Sequence, residues 1–134
     1  MANAKTEGQR PLSPHLQVYR LSLTFLMSGF HGVTGFVLYF GMFIPVAWLL
    51  AAAAGPEWYE FVNGLLGTIL GKLVLFGYSW GLLHHMMGGI RHLIWDTGRG
   101  LDVETIEYFA VASIAGSLLL TGLVWLIAFM LGGL

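Results

Sequence analysis

The residues best suited to chemistry in this chain close a long apolar segment: His84-His85-Met86-Met87-Gly88-Gly89-Ile90-Arg91-His92-Leu93-Ile94-Trp95-Asp96. Histidines, an arginine and an aspartate are costly to hold beside lipid, so ionisable groups there read first as functional. Neutral imidazole in such a place can bind a haem iron. On a helix, Gly77, Gly81, His85 and Gly89 recur every four residues and form one stripe. Glycines flanking one histidine would make a shallow trough, where a planar ring could lie with its metal against His85. The same spacing also serves ordinary helix–helix contact, and a histidine near a helix end also serves as an interfacial anchor. His84 is rotated by about 100° from His85, so the two cannot face the same partner. His92 lies near the His85 face, closer to the end of the segment.

An earlier segment carries a second polar cluster, Ser28, His31, Gly32, Thr34 and Gly35. Ser28, His31 and Gly35 share one helical face. If the two segments run antiparallel, His31 and His85 sit at similar depth. One haem could then be clamped by both within this chain, or His85 could bind from one side and a partner's histidine from the other. The spacing leaves both arrangements open. Hydroxyls such as those of Ser28 and Thr34 commonly bond their own helix backbone. Lys72 can snorkel. Arg91 can pair with Asp96 or meet an acidic ligand group such as a haem propionate. Trp48, Trp58, Tyr59, Trp95 and Tyr108 fit an aromatic belt at the membrane interfaces.

The elements that must position these residues follow from composition. The 134 residues suffice for one domain; 57% are hydrophobic, only 10% are charged, and mean hydropathy is +0.76. Soluble domains carry about 25% charged residues, so this is expected to be an all-α membrane protein. A net charge of -1 gives no argument for nucleic-acid binding, and none is expected. The absence of cysteine excludes disulfides, thiol nucleophiles and iron–sulfur ligation by this chain. The N-terminus lacks the pattern of a secretory signal or a transit peptide, and the chain is expected to be complete as written.

A spanning helix needs about 20 apolar residues. Three segments qualify: approximately 21–53, 61–95 and 106–134. The first is long for one span and is expected to tilt or to overrun the hydrocarbon. Gly55-Pro56-Glu57 and Asp96-Thr97-Gly98-Arg99-Gly100 read as breaks. Lys5, Arg10 and Arg20 precede the first span, Arg91 and Arg99 lie around the second break, and the first break and the C-terminus carry no basic residue. That bias puts the N-terminus inside and the C-terminus outside. Glycine-rich spans let helices approach closely, so other membrane helices are expected to pack on them.

Three motifs, in order, resemble one family. Arg10-Pro11-Leu12-Ser13-Pro14-His15-Leu16-Gln17-Val18-Tyr19 is similar to the N-terminal motif of the cytochrome b membrane-anchor subunit of succinate dehydrogenase. Ser28-Gly29-Phe30-His31-Gly32-Val33-Thr34-Gly35 resembles its first-helix motif, S-x-x-H-R-x-[ST]-G, and the stretch from His85 to Asp96 resembles its second-helix motif, H-x-x-x-G-[IL]-R-H-L-x-x-D. The resemblance runs from Arg10 to about the start of the third span; the third span is generic.

The resemblance implies a three-helix transmembrane anchor over residues 21–134 that shares one haem b with a second three-helix membrane-anchor subunit. His85 would be this chain's axial iron ligand, and the other axial histidine would belong to the partner. It also implies docking, through residues 1–20 and the inside face, of an iron–sulfur subunit and a flavoprotein with covalent FAD. Electrons from succinate would pass through the iron–sulfur clusters to a quinone. Ser28 would lie in the quinone site, while His31, Arg91, His92 and Asp96 would lie at the haem or propionate rim. Where the family motif has arginine, this chain has Gly32, which removes a charge-assisted donor; His31, Arg91 or a partner residue could take its place. A fumarate reductase anchor, or a structural anchor without quinone chemistry, fits the same motifs. The implied location is a bacterial inner (cytoplasmic) membrane.

Overall fold

The structure, a computed structural model, describes residues 21–132. The N-terminal motif and the docking segment expected over residues 1–20 lie outside the described residues. Five helices follow one another: α1 (Leu23–Gly41), α2 (Phe43–Ala54), α3 (Pro56–Leu66), α4 (Ile69–Asp96) and α5 (Val103–Met130).

The first expected span is α1 followed directly by α2. Ser22 caps α1, its side chain accepting the Phe25 amide. Pro45, one turn past Gly41, has no N–H to give the Gly41 carbonyl, which breaks the helix around Met42. Backbone bonds from Met42 to Leu38 (2.9 Å) and from Val46 to Met42 (3.2 Å) keep the two pieces continuous. Together they make a 32-residue apolar segment, about 48 Å at 1.5 Å per residue. A hydrocarbon core is about 30 Å thick, so the excess length read from the sequence is real.

The second expected span needs a correction. It does not run straight from residue 61: residues 61–66 belong to α3, and α3 is bent by 81° from α4. The cause is local. Thr68 is an N-cap, its hydroxyl accepting the Gly71 amide at 3.0 Å, and this starts a new helix at Ile69 despite the apolar run. The Gly55-Pro56 break is as expected, with Gly55 at φ 125° and Pro56 opening α3. Gly98 and Gly100, at φ 73° and 69°, make the turn into α5. Asp102 caps α5 by accepting the Thr105 amide at 2.9 Å. Two segments, Leu23–Ala54 and Val103–Met130, are long and apolar enough to cross a membrane, and the bent pair α3–α4 brings the number to as many as three.

Burial is inverted relative to a soluble protein. Long apolar side chains such as Phe36, Leu70, Leu119 and Phe129 are exposed, whereas Thr34, His84, Arg91, Ser113, Ser117 and Thr121 are buried. Lipid solvates the apolar exterior, so helices associate through small and hydrogen-bonding residues. On α5 that seam is Ala110, Ser113, Ser117 and Thr121, one face at helical spacing. The hydroxyls of Ser113, Ser117 and Thr121 bond carbonyls of their own helix at 2.7–2.9 Å, leaving a thin surface against which α4 packs. Trp125 Nε1 donates to Ser79 Oγ across the same pair at 2.9 Å.

Candidate functional site

Where α1 meets α4, the two polar clusters of the sequence come together. The His31 and His85 rings stack, with centroids 4.0 Å apart and planes within 5°. Gly35 makes room: a Cβ there would stand 3.0 Å from His85 Cε1. His92 lies beside this pair, 5.2 Å from His31 and edge-on to Trp95 at 5.2 Å. The similar depth expected for His31 and His85 is thus realised. Their face-to-face stacking, however, does not fit a clamp within the chain. The rings are in contact, which leaves no room between them for a planar group.

His85 is held in a definite way. Its Nδ1 lies 3.2 Å from the His31 carbonyl and 3.2 Å from Thr34 Oγ1. The Thr34 hydroxyl is within reach of the Phe30 and His31 carbonyls, at 2.8 and 3.0 Å, so it donates to its own backbone and can accept from His85. With acceptors on that side, Nδ1 is the donor, and in the neutral ring Nε2 then keeps the lone pair. This is the arrangement of metal-binding histidines, whose second nitrogen donates to a carbonyl or carboxylate. Added Cβ atoms at Gly77 and Gly89 would meet nothing within 4 Å, so the glycine stripe beside His85 is open at those two positions, whereas Gly81 is buried. A planar prosthetic group therefore fits the residues present: one oriented imidazole beside an open glycine trough. Among the described residues, no group of three or more His, Cys, Asp or Glu side chains is placed to hold a metal ion.

His84 faces elsewhere, as expected from its rotation. It is buried, its Nδ1 3.1 Å from Ser117 Oγ on α5, with its ring near Trp80 and Phe30. The buried face of α4 is Gly81, His84, Gly88 and Arg91. Sequence reasoning does not single out Ser117 and Thr34 as supports for the two histidines. The recurrence of Ser113, Ser117 and Thr121 at helical spacing is the readable signal on α5.

Arg91 requires a correction. It is only 3% exposed and does not pair with Asp96, which is exposed; its Cζ lies 5.2 Å from the Trp95 ring centroid. Five residues along a helix turn through about 500°, so Arg91 and Asp96 point to different sides. Nε and one terminal nitrogen of Arg91 are buried without a partner, as is His31 Nδ1. Ser28 is exposed on α1 and, unlike Thr34, its hydroxyl bonds nothing among the described residues. Gly32 is exposed and has open space at its Cβ position.

A helical bundle with polar side chains buried and long apolar side chains outside is the architecture of an all-α membrane protein. Comparison with known sequences gives the family. Residues 6–124 match the succinate dehydrogenase/fumarate reductase transmembrane subunit family, and the chain belongs to it. Similar proteins include the succinate dehydrogenase cytochrome b556 subunits of Paracoccus denitrificans (39% identical, spanning 91% of this chain and 94% of that one) and Rickettsia felis (34%, spanning 93% and 99%). The mitochondrial cytochrome b560 subunit of Sus scrofa is 38% identical over 81% of this chain and 66% of its own. Within the family this chain groups with the cytochrome b membrane anchors of respiratory complex II.

Proposed function

We propose that this chain anchors a succinate dehydrogenase in a bacterial inner membrane, supplies one axial ligand to a shared haem b, and forms part of the site where quinone is reduced. The observation that carries this reading is His85, whose Nδ1 is engaged by the His31 carbonyl and Thr34 while Nε2 is left to bind iron. The second histidine ligand would come from a partner membrane subunit, facing the side of α4 left open at Gly77 and Gly89. When bound, haem b supplies a one-electron store near the quinone site.

In this reading the chain crosses the membrane three times, with α3 lying along the outer interface, the N-terminus inside and the C-terminus outside. The flavoprotein with FAD and the iron–sulfur subunit dock on the inner face. Ser28, with a free hydroxyl near the inner end of α1, donates a hydrogen bond to one quinone oxygen. A quinone is largely apolar, so a lipid-facing slot with one or two placed donors suits it. Arg91, whose buried nitrogens lack partners, holds a positive charge toward an acidic group such as a haem propionate. His31, His92 and Asp96 lie at the rim, where they can hold or pass protons. Gly32 leaves the family's arginine position vacant, so Arg91 is the nearer source of charge from this chain.

The reading is tested in the assembled complex. Ser28→Ala should slow succinate-driven quinone reduction while reduction of a soluble dye acceptor by the same preparation is unchanged. Equal loss of both activities would point instead to failed assembly. Quinone kinetics identical to the unsubstituted complex would remove Ser28 from the site.

A further inference from the structure

At the far end of α4 from the histidines, the bend between α3 and α4 encloses a cavity of about 690 Å³ beside α2. Its walls include Pro45, Trp48, Tyr59, Asn63, Lys72 and Tyr78. The lining is mostly apolar and aromatic; its polar side chains are those of Trp48, Tyr59, Asn63, Lys72 and Tyr78, and the Tyr78 hydroxyl donates to Met42 Sδ at 3.7 Å. Lys72 makes no ion pair among the described residues. Trp48 Nε1 donates to Asn63 Oδ1 at 2.8 Å, which takes up the amide's acceptor and turns neither of its N–H donors to a partner. The Tyr59 hydroxyl is also without a partner among the described residues. Next to Lys72, Ile69, Leu70 and Leu73 are 83%, 72% and 63% exposed, so the cavity adjoins lipid-facing surface.

From this geometry we infer that the cavity is a binding site for an anionic phospholipid, its phosphate held by Lys72 and Asn63 and an acyl chain lying along the aromatic wall. Charge decides the headgroup. Lys72 is a half-buried ammonium with no acceptor among the described residues, and a phosphate offers strong acceptors to it and to the Asn63 amide. The apolar lining and the adjoining lipid-facing residues favour a lipid over a free phosphate ion.

The test uses the whole membrane complex in mild detergent, exchanged into mixed micelles of phosphatidylglycerol or phosphatidylcholine and examined by native mass spectrometry. The unsubstituted complex should retain one phosphatidylglycerol per copy under conditions that strip phosphatidylcholine. Lys72→Gln should weaken that retention about tenfold, as expected for loss of one charge-assisted contact, and Lys72→Arg should keep it. Succinate–quinone turnover should be unchanged in both variants, which separates this site from the haem and quinone residues. Equal retention of the two lipids, or retention undiminished in Lys72→Gln, would overturn the inference. So would displacement of the lipid by inorganic phosphate at equal concentration, which would make the ligand a free ion.

Discussion

The contact between α1 and α4 rests on Gly88, and an alanine there should show it. A Cβ at Gly88 would collide with His31 Nδ1 and come within 3.0 Å of Cε1 and 3.3 Å of Cγ. Non-bonded carbons sit best at about 3.5–4.0 Å, so the whole edge of the ring is too close. His31 cannot swing away on its other side, because its face is packed on His85 at 4.0 Å. Either α1 shifts or the stack breaks, at a cost of about 1–3 kcal/mol for overpacking. Gly122, exposed inside α5, is the control, since a Cβ there meets nothing within 4 Å. Replacing either glycine raises helix propensity by about the same 1 kcal/mol, so that contribution cancels in the comparison. Unfolding the complex in a denaturing-detergent titration should therefore place Gly88→Ala about 1–3 kcal/mol below Gly122→Ala. The imidazole environment should change only in the former. Indistinguishable titrations would refute the packing of His31 between Gly88 and His85.

Other outcomes follow from the same contacts. Ser117→Ala leaves buried His84 Nδ1 without its partner and should destabilise the bundle by about 1–3 kcal/mol in the same titration, with the haem absorption spectrum unchanged. Thr34→Val removes one acceptor from His85 Nδ1; a less electron-rich imidazole should raise the haem midpoint potential, by up to about 60 mV, in a redox titration. The Asp102 carboxyl is held below the ordinary carboxylate value because it accepts the Thr105 amide, so its capping is complete above the ordinary value and is lost as pH falls through the lowered one. Hydrogen exchange at the Thr105 amide should accelerate across that acidic window relative to neighbouring amides, and Asp102→Asn, which keeps a cap but does not titrate, should abolish the pH dependence.

Much of the fold is legible in the sequence, because lipid imposes strong patterns. Long apolar runs mark the helices, the Gly55-Pro56 and Gly98–Gly100 breaks fall where left-handed glycines turn the chain, and antiparallel spans put His31 and His85 at one depth. The start of the second span is not legible. Apolar residues 61–66 look continuous with α4, but a single threonine cap outweighs that continuity. Pairing of Arg91 with Asp96 fails because nearness in sequence is not nearness on a helix. A generic reading of α5 misses Ser117, since a serine stripe declares its partner only when the opposing helix is in place. The stacking of His31 on His85 is likewise invisible, because helix spacing gives depth and face but not the ring's tilt.

The proposed function turns on His85 Nε2 binding iron. The sharpest test is the reduced-minus-oxidised absorption spectrum of the complex carrying His85→Gly, recorded before and after adding imidazole. Ligation by His85 requires that the six-coordinate b-type spectrum is lost and that exogenous imidazole, entering the space left by the side chain, restores it, whereas the same substitution at His84 leaves the spectrum intact. An unaltered b-type spectrum in the His85→Gly complex without imidazole would contradict the assignment.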